Sequence, residues 1–127
     1  MKKIILDTNF LMAVGQFKVD IFSEIYRICN FNYQLCIMDK TVDELKKIIQ
    51  SKQKGKDKAA AKLALAIISS KKLKILKTKE DKPVDDLILD VNNAIVATTD
   101  KGLINKLKEK KAKIIRLRQK KYLVIAE

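Results

Sequence analysis

Four acidic side chains stand where chemistry could be done: Asp7, Glu44, Asp85 and Asp100. Asp7 ends the apolar run Ile4-Ile5-Leu6, and Glu44 lies just past the run Tyr33 to Met38. Asp85 opens a brief helical stretch after Leu73 to Leu76, and Asp100 follows Ala94 to Thr98 by two residues. Such short, uncharged, apolar runs read as buried parallel strands. Open α/β sheets hold their ligands at the carboxyl ends of the strands, so the four acids are expected to converge on one sheet edge. Carboxylates crowded together repel unless a cation neutralises them. An oxygen-only set, in a chain with no histidine, selects a hard ion, Mg²⁺ or Mn²⁺. The chemistry that follows is metal-assisted phosphodiester hydrolysis, with a water activated and transition-state charge stabilised.

Each acid also has a purely local explanation. Asp7 could cap the next helix. Glu44 stands three residues after Thr41, the spacing of a capping box. Asp85 or Asp86 could complement a helix dipole, and Asp100, before Lys101-Gly102, could be a turn residue or N-cap. Four such coincidences at one sheet edge weigh against the local explanations.

The elements that must position these acids can be read in order. After the first strand and a short helix, Asp20 can cap a helix carrying Phe22, Ile25, Tyr26 and Cys29 at helical spacing. Tyr33 to Met38 is a second strand and Asp39-Lys40-Thr41 a turn; a helix then opens at Thr41 with Leu45, Ile48 and Ile49 on one face. Lys52 to Lys56 is a lysine-rich loop, a solvated connection that could also touch phosphates. Asp57 can cap an alanine-rich helix with Ala60, Leu63, Ala64, Ile67 and Ile68 inward. Leu73 to Leu76 is a third strand near an edge, Ala94 to Thr98 a fourth and Ile114 to Leu117 a fifth, with Tyr122 to Ile125 a short last addition. Between the fourth and fifth, Leu103 to Lys111 is amphipathic. Strands alternating with helices predict a three-layer α/β/α sandwich around a parallel sheet with right-handed crossovers. The 127 residues suit one domain, 1–127, with room for a sizeable core.

Composition narrows the function classes. The chain carries 28 basic and 15 acidic residues, a formal charge of +13, which fits a polyanionic partner such as nucleic acid or an anionic membrane surface. From Lys101 to Lys121 there are ten basic residues against one acid, Glu109, so a basic surface is expected around an acidic spot. Lys101, Lys120 and Lys121 are the expected phosphate contacts. Without histidine no Ser-His-Asp or Cys-His mechanism is available. Cys29 and Cys36 lack metal-ligand spacing and read as buried thiols. No apolar run is long enough to cross a bilayer, and Lys2-Lys3 leads into a strand instead of a signal-peptide core. The expectation is a soluble, cytoplasmic protein; a homodimer is compatible with everything above.

The segments Asp7-Thr8-Asn9-Phe10-Leu11, Asp43-Glu44-Leu45, Asp85-Asp86-Leu87-Ile88 and Ala97-Thr98-Thr99-Asp100-Lys101 resemble, in order, the four acidic motifs of PIN-domain ribonucleases. The resemblance covers essentially the whole chain, and its first and last motifs are the more specific. It implies a five-stranded parallel sheet of order 3-2-1-4-5 and a Mg²⁺ or Mn²⁺ site for cleaving RNA. Carried over, Asp7, Glu44, Asp85 and Asp100 are the metal-binding acids, with Asn9 and Thr98 orienting them. The segment between Asp85 and Thr98 is shorter than is usual in the family, which leaves Asp86 as an alternative to Asp85. Asp85 is preferred because Ile88 and Leu89 then share its face at i+3 and i+4. The Ala-Ile-Val-Ala-Thr strand and the ending Ile115 to Leu123 are most similar to the branch that processes ribosomal RNA, so structured or ribosomal RNA is the implied substrate. VapC-type toxins, silenced by a protein partner, are a less close match. A catalytically weak RNA-binding assembly factor is a third reading. A phosphoacceptor receiver domain would need a second acid beside Asp7, and Thr8-Asn9 does not supply it.

Overall fold

A computed structural model describes residues 1–52 and 55–126; of the Lys52 to Lys56 loop, residues 53 and 54 lie outside the described residues. In chain order the elements are β1 (Lys2–Leu6), α1 (Thr8–Phe17), α2 (Ile21–Ile28), β2 (Tyr33–Met38), α3 (Asp39–Gln50), α4 (Lys56–Ser70) and β3 (Lys74–Leu76). There follow α5 (Val84–Leu89), β4 (Ala94–Ala97), α6 (Lys101–Glu109), β5 (Ile114–Arg118) and β6 (Tyr122–Ala126). The sheet order is β3-β2-β1-β4-β5-β6. The first five strands pair in parallel, as expected, and β6 adds an antiparallel edge.

The pleat explains why the strands carry so few charges. Ile4, Leu6, Ile37, Ile95, Ala97 and Ile115 belong to one buried cluster, under α1, α2 and α4. Their neighbours Ile5, Cys36, Met38, Val96 and Ile114 belong to another, under α5 and α6. Alternate side chains on one strand thus enter opposite layers, and both faces must be apolar. Both cysteines are buried free thiols, held up from their usual ionisation by burial.

β5 and β6 join through a tight three-residue connection, 119–121, in which Gln119 and Lys120 both have positive φ (53° and 55°) and the Lys121 amide donates to the Arg118 carbonyl at 3.0 Å. This left-handed pair matches the twist of a hairpin.

Four local expectations are corrected. Asp39-Lys40-Thr41 is the first turn of α3, not a loop: the Asp39 carboxylate accepts from the Lys40 amide and from the amide and hydroxyl of Thr78, which ties the helix start to the segment after β3. Asp57 does not cap α4. That helix starts two residues earlier than such a cap implies, after Gly55 at φ 106°, and the Asp57 carboxylate instead accepts from Gln16. The inward face of α4 is also rotated: Ala60, Ala61, Ala64 and Ile68 are buried, while Leu63 is exposed. α1 lies so close that only alanine fits beneath it. A Cβ added at Gly15 would stand 2.9 Å from the Ala60 Cα. Tyr26, expected on the apolar face of α2, is 78% exposed; Ile21 and Ile25 fill that face.

Candidate active site

All four acids lie at the carboxyl edge of the parallel strands. Asp7 follows β1 directly and is only 4% exposed. Its amide donates to the Ala97 carbonyl at 2.9 Å, which locks the chain after β1 to the end of β4. One carboxylate oxygen, Oδ1, accepts from the Thr8 amide at 2.9 Å. The other, Oδ2, accepts from the Thr98 hydroxyl at 2.9 Å. Asp7 therefore caps α1 and faces the site as well; the local and functional explanations are compatible. The same holds for Asp100, which caps α6 through the Gly102 amide at 2.9 Å while its own amide donates to Thr98 Oγ1 at 3.1 Å. Thr98 is fully buried and is hydrogen-bonded to both Asp7 and Asp100.

Glu44 is not part of a capping box. α3 begins at Asp39 after an extended Met38, with no side-chain cap, so Thr41 already lies inside the helix, wholly buried. The Glu44 carboxylate accepts from the Thr8 hydroxyl at 2.7 Å, and that hydroxyl stands 3.1 Å from Thr41 Oγ1. Thr8 and Thr41 thus form a hydroxyl bridge between α1 and α3 that holds Glu44. The expectation gave Asn9, with Thr98, the role of orienting the acids. Asn9 is exposed, and among the described residues it makes no hydrogen bond to the acids. The first turn of α1 points its hydroxyl residue inward and the following amide outward. The signal for Thr8 was its place next to Asp7 on a helix whose next inward residue is Phe10.

Asp85, in the first turn of α5, completes the cluster. Burial raises its pKa, and so do the Asp100 charge, a hydrogen bond shared with the Asp100 carboxyl and the Glu44 charge, against an opposing pull from Lys106. Asp86 stands beside it in the same first turn. Lys106, one face of α6 away from the buried Leu103, Ile104 and Leu107, escaped notice because it is one lysine among many. Burial drives Asp7 up to about 6, with Thr98 opposing and the Asp85 and Glu44 charges adding to the rise.

The acids form a chain of mutually repelling pairs. Among the described residues, no three of them are drawn together into a ready-made ligand set. Their chemistry nonetheless fits a hard divalent cation: every donor is a carboxylate oxygen, and a cation would offset both the burial and the neighbouring negative charges that raise Asp7 and Asp85. Lys101 is exposed beside Asp100. Lys120 and Lys121 lie exposed at the β5–β6 turn, Lys120 with its Nζ 5.2 Å from the centroid of the Phe17 ring. A groove of about 630 Å³ beside Glu44 is lined by Lys40, Lys46, Lys47 and Lys82.

No helix of the described residues is long and apolar enough to cross a membrane. The fold is shared with solved structures. The PIN domain endonuclease Utp24 superposes with a TM-score of 0.78 at 23% identity, over 97% of this chain and 90% of that one. A domain of a functionally unknown protein from Methanocaldococcus jannaschii superposes with a TM-score of 0.64 at 18% identity, over 93% of this chain and 92% of that one. In sequence, the chain is 38% identical to Ribonuclease VapC4 of Methanocaldococcus jannaschii over 98% of its length and 97% of the relative's. A family model described as a PIN like domain matches residues 4–120. By sequence and by fold, the chain belongs to the PIN-like domain family of nucleases.

Proposed function

We propose that this protein is a metal-dependent endoribonuclease that acts in the cytoplasm. The observation that carries the reading is that Asp7, Glu44, Asp85 and Asp100 lie at one sheet edge, where burial raises Asp7 and Asp85 and the neighbouring acid charges add to the rise. A Mg²⁺ or Mn²⁺ held by these four carboxylates would supply charge neutralisation at the phosphate and a more acidic water. The chain's own residues do the positioning. Thr98 donates to Asp7 and holds Asp100; Thr8 holds Glu44; the surrounding lysines attract the phosphate backbone.

The ending Ile115 to Leu123 supports ribosomal RNA as the substrate in this reading. The likeness to Ribonuclease VapC4 favours a second role for the same active site, a toxin silenced by a protein partner.

The test is incubation of the purified protein with precursor ribosomal RNA, tRNA and single-stranded RNAs, with Mn²⁺ and with chelator. Glu44→Gln sharpens it. Glutamine has nearly the helix propensity of glutamate and still accepts from Thr8, but it removes a charge and a good oxygen donor. The variant should melt within a few degrees of native, while Mn²⁺-dependent cleavage falls about 100-fold. Full activity in Glu44→Gln would remove Glu44 from the site. Cleavage undiminished by chelator would remove the metal.

A further inference from the structure

A second groove, of about 550 Å³, opens directly beside the acids. Asn9 and Thr99 form its near wall; they stand two residues after Asp7 and one before Asp100, so the groove begins where the acidic edge ends. Its floor is apolar, with Phe17 and Leu117, and its far wall is the β5–β6 turn, with Gln119 and Lys120. Phe17 is one of the few large apolar side chains left exposed, at 37%. It sits at the carboxyl end of α1, before a Lys18 in the left-handed region at φ 55°. The ammonium of Lys120 stands 5.2 Å from the centroid of that ring.

We propose that this groove is a nucleobase subsite, holding an unpaired base next to the phosphodiester to be cut. An aromatic face stacks on any base. Side-chain amides, here Asn9 and Gln119, can donate to and accept from a base edge. The base takes the ring face that Lys120 covers, and the Lys120 ammonium passes to the adjoining phosphate. Gln119 and Lys120 hold their place because both occupy the left-handed positions of the tight turn. A base in a duplex is stacked and paired and cannot enter such a groove. The subsite therefore selects single strands and loops over continuous helices. This specificity rests on the ribonuclease reading; the groove's affinity for a base does not.

Binding and cleavage are measured separately. In chelator, native protein is titrated into a single-stranded RNA carrying 2-aminopurine, and into the same strand with that base removed. Stacking on Phe17 should quench the fluorophore, and the abasic strand should bind about 5- to 100-fold more weakly. Phe17→Ala should lose the quench and weaken binding to the intact strand by a similar factor, with no further loss on the abasic strand. Phe17→Tyr should restore both. With Mn²⁺, an abasic nucleotide beside the mapped cut should slow cleavage by native protein and leave Phe17→Ala indifferent. Equal loss on intact and abasic strands, or no loss in Phe17→Ala, overturns the subsite, and in the latter case the groove belongs to a protein segment. Base-dependent binding without any cleavage would keep the subsite and remove the nuclease reading.

Discussion

Asp7 is the residue on which the site's electrostatics turn. It is buried, it takes two hydrogen bonds that favour its charge, and its pKa still rises from 3.8 to about 6. Burial and the neighbouring acids therefore outweigh both donors. The consequence for stability has a definite sign. Between pH 3.8 and about 6 the unfolded chain gives up this proton more readily than the folded one, so stability falls as pH rises through that window. Above it the folded state carries a penalty on the order of 3 kcal/mol. Asp7→Asn removes the charge and keeps its oxygen on the Thr8 amide, but turns an amide NH₂ toward the Thr98 hydroxyl, which must then accept instead of donate, costing about 1 kcal/mol. The variant should therefore be more stable than native at pH 7 without divalent metal, and no more stable near pH 4. Denaturant melts at the two pH values measure this, and equal gains at both would mean that charge is not the cause. Residue types and spacing alone made the four acids legible, because strand ends in a parallel sheet share an edge. The supporting hydroxyls were less so. Thr41 looked like a cap because a sequence cannot say whether a helix begins at residue 39 or 41, and that offset turned Thr41 from cap to buried bridge.

At the level of elements, the strands were readable and the helix phases only in part. Strands buried on both faces announce themselves by uninterrupted apolar runs. An alanine-rich helix gives no such signal, since alanine suits a tight interface and a solvated face equally. On α4 the large Leu63 drew the expected face toward itself, whereas the actual contact is made by Ala60, Ala61 and Ala64 against Gly15 of α1. Gly15→Ala sets two effects against each other. Removing a helical glycine stabilises by about 0.5–1 kcal/mol. Its new methyl meets the Ala60 Cα at 2.9 Å and Cβ at 3.0 Å, backbone that cannot turn aside, and such overpacking costs about 1–3 kcal/mol. Packing should win, and the variant should melt below native. A rise in melting temperature would mean that α1 and α4 can separate at little cost. The guarding of the sheet edge was equally hidden from the sequence. β6 is guarded by α2, whose Glu24 accepts from the Leu123 amide and whose Arg27 donates to the Leu123 carbonyl. Two side chains thereby occupy the backbone groups with which another strand would pair.

Across the whole molecule, the fold divides what the sequence presents as one basic stretch. Lys101, Lys120 and Lys121 lie at the carboxyl end of the sheet with the acids. Lys110, Lys111 and Lys113 line a groove at the opposite end, with Lys2 and Asn93. There Lys110 already donates to the Leu89 and Val91 carbonyls. A strand bound for cleavage has to cross the acidic edge, so it should meet the first group and not the second. Phosphate contacts on single-stranded RNA lower log affinity against log salt by roughly 0.7 each. Replacing Lys120 and Lys121 together by alanine should flatten that slope by up to about one to two. Replacing Lys110 and Lys111 should leave it unchanged for an RNA only long enough to span the acids. The pair of slopes, measured from about 50 to 200 mM salt in chelator, separates the two paths. Flattening only in the second variant would carry the RNA to the far end of the sheet, away from every carboxylate proposed to cut it.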